Sequence, residues 1–293
     1  MSGHRPIVVG IDGSPSSLQA VAWAAREAAF RHSPLSLITT MFVPGRYGVP
    51  IGVPASFFQD EERDGKDRLE RAAQTARDTV PGYDIDIETT VCTGTPAGEL
   101  LARSANAAML VVGANRRGII DRAVLGSVSS AIATHAPCPV AVIRGVPDRD
   151  INDIPGPVVV GVDGSQHSEP AISMAFEEAS LRQSELVAVH AWSDIILELS
   201  LDGGSEAEWT RDAANETALL SENLAGRGEK YPDVKVRTIV VRDRPTRHLR
   251  EQAENAQLLV VGSRGRGGFS SMLLGSTSRA LMHSVVCPLL IVR

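Results

Sequence analysis

The sequence predicts an α/β protein made of two tandem copies of one domain, each a parallel sheet with helices on both faces. The 293-residue chain repeats itself: the segment that starts at Ile7 matches the segment that starts at Val158 at 14 of 32 positions. The segments that start at Leu110 and Leu259 match at 13 of 34 positions. Within each copy, short β-branched runs alternate with segments of helical periodicity, a pattern typical of parallel strands joined by right-handed helical crossovers.

The two domains are expected to span residues 1–146 and 155–293. Between them, the stretch 144–157 is polar and carries three prolines and two glycines, a composition typical of a linker. The repeats are offset by 151 residues near the start of each copy and by 149 near its end, so a two-residue length difference lies in between.

Each copy is predicted to contain five strands that alternate with four helices. The strands are short apolar runs, the first of which ends at Asp-Gly-Ser, and the helices show small-residue stripes or acidic, Arg-rich faces. The strands are predicted over 7–11, 35–40, 85–92, 109–113 and 140–143, and over 158–162, 186–191, 234–241, 258–262 and 289–292. The second, third and fourth helices are predicted over 60–79, 97–105 and 127–135, and over 205–229, 246–256 and 276–283.

Serine side chains are the expected N-caps of the first helices, because a hydroxyl oxygen accepts from the unpaired first-turn amides. In copy one, Ser14, Ser16 and Ser17 are candidates. In copy two, Ser165 and Ser168 are the candidates, with Pro170 in the first helical turn.

Composition excludes several classes of function. The chain has 35 acidic and 29 basic residues, a net charge of −6, which disfavours a nucleic-acid binder because such proteins need excess positive charge. No segment has the roughly 18 apolar residues of a membrane span, and the N-terminus lacks the apolar core of a signal peptide, so a cytoplasmic protein is expected. The three cysteines, Cys92, Cys138 and Cys287, form no CxxC pair and are expected to be buried.

A glycine-rich loop after the fourth strand predicts an anion site. In copy two, Gly262 and Gly265 are followed after nine residues by Gly275 and Ser276, at a predicted helix start. Glycines let backbone amides approach an anion closely, and a helix N-terminus offers unpaired N–H groups with a favourable dipole. Copy one retains most of this pattern, in Gly113, Gly118, Gly126 and Ser127.

Two familiar nucleotide motifs are missing. None of the three lysines, Lys66, Lys230 and Lys235, follows a glycine-rich loop, so a Walker loop is excluded. No GxGxxG follows the first strand, which disfavours a nicotinamide or flavin dinucleotide. Arg264 and Arg266 are available to an anion, or are simply exposed arginines on a solvated loop.

Asp12 and Asp163 each end the first strand within the sequence VGxDGS. A carboxylate at this point faces the ligand crevice of an open parallel sheet, where it accepts hydrogen bonds from a ribose or base, or binds a metal-held water. The alternative is an Asx turn, in which the carboxylate bonds to its own backbone.

The chain resembles a tandem universal stress protein of the ATP-binding branch. The resemblance lies in VVGIDGS and VVGVDGS at the first strands and in Gly262-x-x-Gly265-x9-Gly275-Ser276, and it covers nearly the whole chain. It implies two Rossmann-like, adenine nucleotide alpha hydrolase-like domains with sheet order 3-2-1-4-5. It also implies a homodimer paired through the last strands, and ATP binding, with or without Mg²⁺, without efficient turnover.

The resemblance also assigns cofactor-binding residues by position, and it assigns no catalytic residue and no metal ligand. In copy two they are Gly161, Asp163, Ala191, Trp192, Val241, Gly262, Arg264, Gly265, Arg266, Gly275, Ser276 and Thr277, with adenine against Ala191 and Trp192 and the phosphates on the glycine loop. In copy one they are Gly10, Asp12, Thr40, Met41, Gly113, Arg116, Gly126, Ser127 and Val128.

Copy one departs from the pattern at one position, because Arg116 stands where copy two has Gly265. If the glycine adopts positive φ or touches the phosphates, an arginine there would cost roughly 1 to 2 kcal/mol of strain and crowd the site. Pairing of the arginine with a phosphate is the alternative. We expect the second site to be the stronger.

Three functions are compatible with these observations. The leading one is an ATP-binding regulator that acts on a protein partner in stress adaptation. An ATP hydrolase or nucleotidyl-transfer enzyme is disfavoured because no general base or paired carboxylates are evident, although slow hydrolysis stays open. The third is a dimerisation scaffold that pairs through the apolar final strands. The seven histidines form no HExxH and GxSxG is absent, so a zinc or serine hydrolase is not expected.

Overall fold

The structure, a computed structural model, describes residues 4–41, 55–114, 126–144, 155–192, 206–242, 244–265 and 273–293. The chain divides into unit 1, Met1–Asn152, and unit 2, Asp153–Arg293. Most of the linker predicted over 144–157 lies outside the described residues. None of the helices in the described ranges is long and apolar enough to span a membrane.

Unit 1 alternates strands and helices in the predicted order. Its parallel strands are hydrogen-bonded in the order β3-β2-β1-β4-β5, which confirms the predicted order 3-2-1-4-5. The elements are β1 (Ile7–Gly10), α1 (Pro15–Arg31), β2 (Leu35–Met41), α2 (Ala55–Thr79), β3 (Ile87–Thr93), α3 (Pro96–Ser104), β4 (Met109–Ala114), α4 (Ser127–His135) and β5 (Val140–Arg144).

Unit 2 repeats this arrangement, with the parallel order β10-β9-β6-β7-β8. A 3-10 helix, Gln166–Ser168, precedes its first α-helix. The other elements are β6 (Val158–Val162), α5 (Glu169–Leu181), β7 (Leu186–Trp192), α6 (Glu206–Leu224), α7 (Arg227–Lys230), β8 (Val236–Arg242), α8 (Pro245–Ala253), β9 (Leu258–Gly262), α9 (Ser276–Ser284) and β10 (Leu289–Val292).

The core of each unit lies around its central strands, which helices cover on both faces. These strands are continuous apolar runs because neither face meets water. The small-residue stripe of α1, with Ala20, Ala24 and Ala28 fully buried, lets that helix approach the sheet closely. All three cysteines are free and buried, as expected, and burial raises the pKa of Cys287 to about 12, which keeps that thiol protonated.

The helix caps differ in part from the prediction. In unit 1, Ser14 rather than Ser16 or Ser17 caps α1, by accepting from the Ser17 amide at 3.2 Å. In unit 2, Ser165 accepts from an amide of the 3-10 helix. Ser168 occupies the N-cap position of α5 but makes no capping bond, because its hydroxyl donates instead to the Ser165 carbonyl at 2.8 Å.

Element ends differ by a few residues. The second helix of unit 2, predicted to reach residue 229, ends at Leu224 because Gly226 turns the chain with a φ of 76°. Pro170 lies in the first turn of α5, as predicted.

The fourth strand of unit 1 ends against the start of the first helix. A Cβ added to Gly113 would lie 2.6 Å from the backbone carbonyl carbon of Ser16. Because backbone atoms cannot rotate away, the sheet and α1 can pack this closely only if residue 113 is glycine. In unit 2, the equivalent Gly262 lies against the backbone of His167, with a Cβ distance of 3.2 Å to its carbonyl oxygen.

We therefore predict that Gly113→Ala lowers the free energy of unfolding of the full chain by about 1 to 3 kcal/mol, the usual cost of overpacking. Urea denaturation without ligand measures it. Gly126→Ala is the matched control, since no described atom beyond its chain neighbours lies within 4 Å of a Cβ there, and it should cost less than Gly113→Ala. Equal effects of the two substitutions would contradict the steric explanation.

Candidate functional site

In unit 1, the carboxylate after β1 belongs to a tight turn. Gly13 has a φ of 80°, a left-handed conformation that glycine adopts without strain. Asp12 Oδ1 accepts from the Ser14 amide at 2.9 Å, which is the Asx turn weighed as an alternative for this residue. Burial acts to raise the pKa of Asp12, but hydrogen bonds from Ser14 and Ser17 outweigh it and hold the pKa below its usual value.

Unit 2 builds the same turn, and there a second loop meets it. Asp163 Oδ1 accepts from the Ser165 amide at 2.9 Å and from the Ser165 hydroxyl at 2.7 Å, while Gly164 has a φ of 74°. A Cβ on Gly265 would lie 2.6 Å from Asp163 Oδ2. The loops after β6 and β9 therefore come together at the carboxyl edge of the sheet, where the sequence predicted a ligand crevice.

Positive φ, one of the two reasons considered for a glycine at position 265, does not apply. Gly265 is not among the glycines with positive φ, so an arginine would suffer no left-handed backbone strain there. The constraint is steric, because any side chain meets the carboxylate of Asp163. In unit 1, the corresponding Arg116 lies outside the described residues, as do Gly118 and, in unit 2, Arg266.

The helices that follow the glycine loops begin without a side-chain cap. Gly275 and Gly126 occupy the N-cap positions of α9 and α4 with extended backbone, and neither helix has a side-chain capping bond. The Gly275 amide donates to the Ser263 carbonyl at 2.7 Å, which closes the loop. Within the described residues, therefore, the N-cap position of α9 supplies no side-chain acceptor to the first-turn N–H groups, and such a helix N-terminus is suited to bind an anion.

A second serine fixes each of these helices to the end of the fourth strand. The Ser278 hydroxyl donates to the Gly262 carbonyl at 2.6 Å, and the equivalent Ser129 donates to the Gly113 carbonyl at 3.2 Å. Sequence reasoning missed this pair, although both serines stand two residues after the predicted helix start. Beside them, Ser127, Ser276 and Arg264 are exposed, and Val128 and Thr277 are half-buried.

The predicted adenine-contacting residues lie at the same edge of the sheet. Ala191 and Val241 are register partners in β7 and β8, so they are neighbours. Trp192 is 5% exposed, which places its side chain mainly in the interior. In unit 1, Thr40 and Met41 end β2 in the same way.

Gly10 and Gly161 have a structural explanation of their own. A Cβ would lie 2.8 Å from a Leu100 methyl group in the first case and 3.0 Å from a Leu249 methyl group in the second. These leucines belong to α3 and α8, so the glycines let the third helix of each unit approach the first strand. This packing accounts for both glycines without a ligand.

Two further features near this edge were not predicted. Arg68 of α2 lies over the turn of unit 1, with its Cδ 3.0 Å from the Cβ position of Gly13. In unit 2, His190 of β7 and Glu216 of α6 form a hydrogen-bonded pair. Neither belongs to a motif. The 151-residue offset between the copies aligns His190 with Thr39, so an imidazole in unit 2 stands where unit 1 has a hydroxyl.

Comparison with known proteins identifies the family. The sequence profile described as "Universal stress protein family" matches residues 3–144 and 156–293. The chain belongs to the universal stress protein family. A universal stress protein of Mycobacterium tuberculosis is 40% identical over 298 residues, covering 98% of this chain and 96% of the relative. One of Mycolicibacterium smegmatis is 39% identical, with the same coverage of both chains.

Solved universal stress proteins have the same fold. A crystal structure from Archaeoglobus fulgidus superposes with a TM-score of 0.69 at 18% identity, covering 99% of this chain and 98% of that one. This similarity supports the fold alone. The tandem architecture that the resemblance implied is confirmed by the two profile matches.

We predict that Gly265→Ala acts through Asp163. The added methyl group displaces the carboxylate and breaks its bonds to Ser165, which should lower the free energy of unfolding by about 1 to 2 kcal/mol. In an Asp163→Ala background the methyl group has no carboxylate to displace, and the same substitution should cost less than about 0.5 kcal/mol. Urea denaturation of the four chains of this cycle measures the coupling.

Gly228→Ala serves as the control, since no atom of the described residues beyond its neighbours lies within 4 Å of a Cβ there. Additive costs of Gly265→Ala and Asp163→Ala would mean that the glycine is needed for another reason.

Proposed function

We propose that this protein binds ATP in unit 2 and acts as a nucleotide-dependent regulator in stress adaptation, without efficient turnover. The observation that carries the proposal is the closeness of the Asp163 carboxylate to the position that a Cβ on Gly265 would occupy, beside the uncapped N-terminus of α9. A glycine-walled crevice, one fixed carboxylate and a helix start without a side-chain cap match the polyanionic and ribose parts of a nucleotide.

The donor set assigns each part of ATP to residues of this chain. Backbone amides of the loop from Gly262 to Gly275 and the start of α9 would hold the phosphates, with Ser276 and Thr277 adding hydroxyl donors and Arg264 a positive charge. The Asp163 carboxylate, which the bonds from Ser165 hold at the edge of the crevice, would accept from the ribose. Ala191 and Val241 would line the adenine end.

Unit 1 supplies a weaker version of this site. Asp12 keeps its turn, and Gly113, Gly126 and Ser127 keep the helix start, but Arg116 replaces the glycine that leaves room above the carboxylate. We therefore propose that unit 2 holds the nucleotide and that unit 1 binds it less tightly or not at all.

The residues at this crevice favour a regulator over an enzyme. Phosphoryl transfer to water needs a group that orients the water and charges that stabilise the transferring phosphoryl group. No general base and no paired carboxylates for these roles are evident in the sequence. Regulation in turn requires that ATP binds one conformation more tightly than another, which a partner protein or a dimer of this cytoplasmic protein would sense.

The first experiment identifies what the protein carries. Freshly purified full-length protein is denatured, and the released small molecules are identified by chromatography and mass. We expect about one ATP per chain, because one of the two sites is intact. No nucleotide, followed by no ATP binding in a calorimetric titration, would overturn the proposal and favour the dimerisation scaffold.

Two matched glutamate variants locate the site. Among the described residues, the nearest atom to a Cβ on Gly275 is 3.5 Å away, and none lies within 4 Å of a Cβ on Gly126, so both positions have room for a side chain. Each places a negative charge at a helix N-terminus, so each should repel phosphate without unfolding the chain. We expect Gly275→Glu to weaken ATP binding at least about tenfold and Gly126→Glu to leave the main site unchanged. The reverse pattern would place the nucleotide in unit 1.

A further inference from the structure

Two hydrogen bonds close the base of the glycine loop in unit 2. The Gly275 amide donates to the Ser263 carbonyl at 2.7 Å, and the Ser278 hydroxyl donates to the Gly262 carbonyl at 2.6 Å. Both serines are buried, with 3% of Ser263 and 4% of Ser278 exposed. The end of β9 and the first turn of α9 are therefore joined directly to each other.

The Ser278 bond is the one of the two that depends on a side chain. A carbonyl oxygen only accepts hydrogen bonds, so the serine hydroxyl is the donor, and its single proton is committed to Gly262. The hydroxyl therefore has no proton left to donate to a ligand. Because Ser278 is also buried, any contribution that it makes to anion binding must pass through the position of α9.

Unit 1 holds the equivalent helix less firmly. The equivalent serine, Ser129, donates to the Gly113 carbonyl at 3.2 Å. Among the residues that the structure describes, the Gly126 amide makes no hydrogen bond to the carbonyl of Ala114, the counterpart of Ser263. In the described residues, unit 2 thus has two bonds between the end of the fourth strand and the following helix start, where unit 1 has a single, longer one.

The first turn of α9 is the part of the helix that the Ser278 bond positions. Its backbone N–H groups and the Ser276 hydroxyl are the donors that the proposed function assigns to the phosphates. Binding groups have to be held within about 0.5 Å of the productive geometry, and hydrogen bonds behind them supply this precision. Ser278 lies two residues after Ser276 in the same turn, so its bond to β9 is placed to hold these donors.

We propose that Ser278 is the positioning residue for the phosphate end of the candidate site in unit 2. Its hydroxyl holds the start of α9 against β9, so that the first-turn amides and Ser276 can contact the phosphates, while Ser278 itself does not touch the ligand. This inference rests on the proposed function. It follows that Ser278 determines the affinity for ATP but not the affinity for adenosine, which has no phosphate.

Hydrogen exchange of the full chain without nucleotide tests the contact itself. Ser278→Ala should lower protection in peptides from 276–284 of α9 at least about threefold and leave peptides from 127–135 of α4 unchanged. Ser129→Ala should have the opposite pattern. Alanine favours a helix more than serine does, so a loss of protection reports the lost bond and not helix propensity. Unchanged protection of α9 in Ser278→Ala would overturn the proposal.

Calorimetric titrations with ATP and with adenosine test the role in binding. They use the Gly126→Glu background, so that unit 2 is the site measured. We expect Ser278→Ala to weaken ATP binding at least about tenfold and adenosine binding less than about twofold. A merely structural role would lower both affinities equally. If adenosine binds the parent chain too weakly to measure, AMP replaces it, and the loss should be smaller for AMP than for ATP because fewer phosphate oxygens depend on α9.

Ser129→Ala is the matched control, because it removes the equivalent hydroxyl from unit 1, and it should leave the ATP affinity of unit 2 unchanged. Equal losses for the two ligands in Ser278→Ala, or no loss for ATP, would overturn the role of Ser278. A parent chain that binds no ATP would instead overturn the proposed function, while the exchange data would still decide whether Ser278 fixes α9.

Discussion

The Asp-Gly-Ser turn after the first strand is the constraint on which the rest of each unit depends. The strand must reverse into a helix within a few residues, and a left-handed glycine makes this reversal without the strain of about 1 to 2 kcal/mol that another residue would carry. The aspartate accepts from the serine amide and thereby stays at the carboxyl edge of the sheet. One short sequence thus sets the helix start and the position of the carboxylate together.

Close approach of backbones completes this arrangement. The fourth strand ends where the first helix begins, and Gly113 and Gly262 lie at that junction. The chain then leaves the sheet as a glycine loop and returns at a second helix start, whose serine hydroxyl bonds to the carbonyl of the same glycine. Two helix N-termini and one carboxylate therefore meet at one edge because of sterics and a few hydrogen bonds, before any ligand is considered.

Much of this could be predicted from the sequence, for physical reasons that also explain the errors. Apolar runs and the alternation of strands with helices define the strands and their parallel direction, since each central strand is buried on both faces. The strand order 3-2-1-4-5 was implied by the resemblance to the family. The choice of Ser14 over Ser16 as a cap depends on where the first helical turn closes, which adjacent serines do not reveal. The need for glycine at 265 depends on Asp163, about a hundred residues earlier, and such a contact leaves no local signal.

The two copies also differ in a way that periodicity does not record. Thr39 donates to the Ile11 carbonyl, and at the equivalent position His190 lies 2.8 Å from the Val162 carbonyl, so each side chain joins the first two strands of its own unit. Unit 2 adds a contact from this position to the following helix, because His190 Nε2 lies 2.6 Å from Glu216 Oε2. A threonine hydroxyl and an imidazole therefore solve the same packing problem, and the two units, although built alike, present different side chains beside the strand ends of the candidate site.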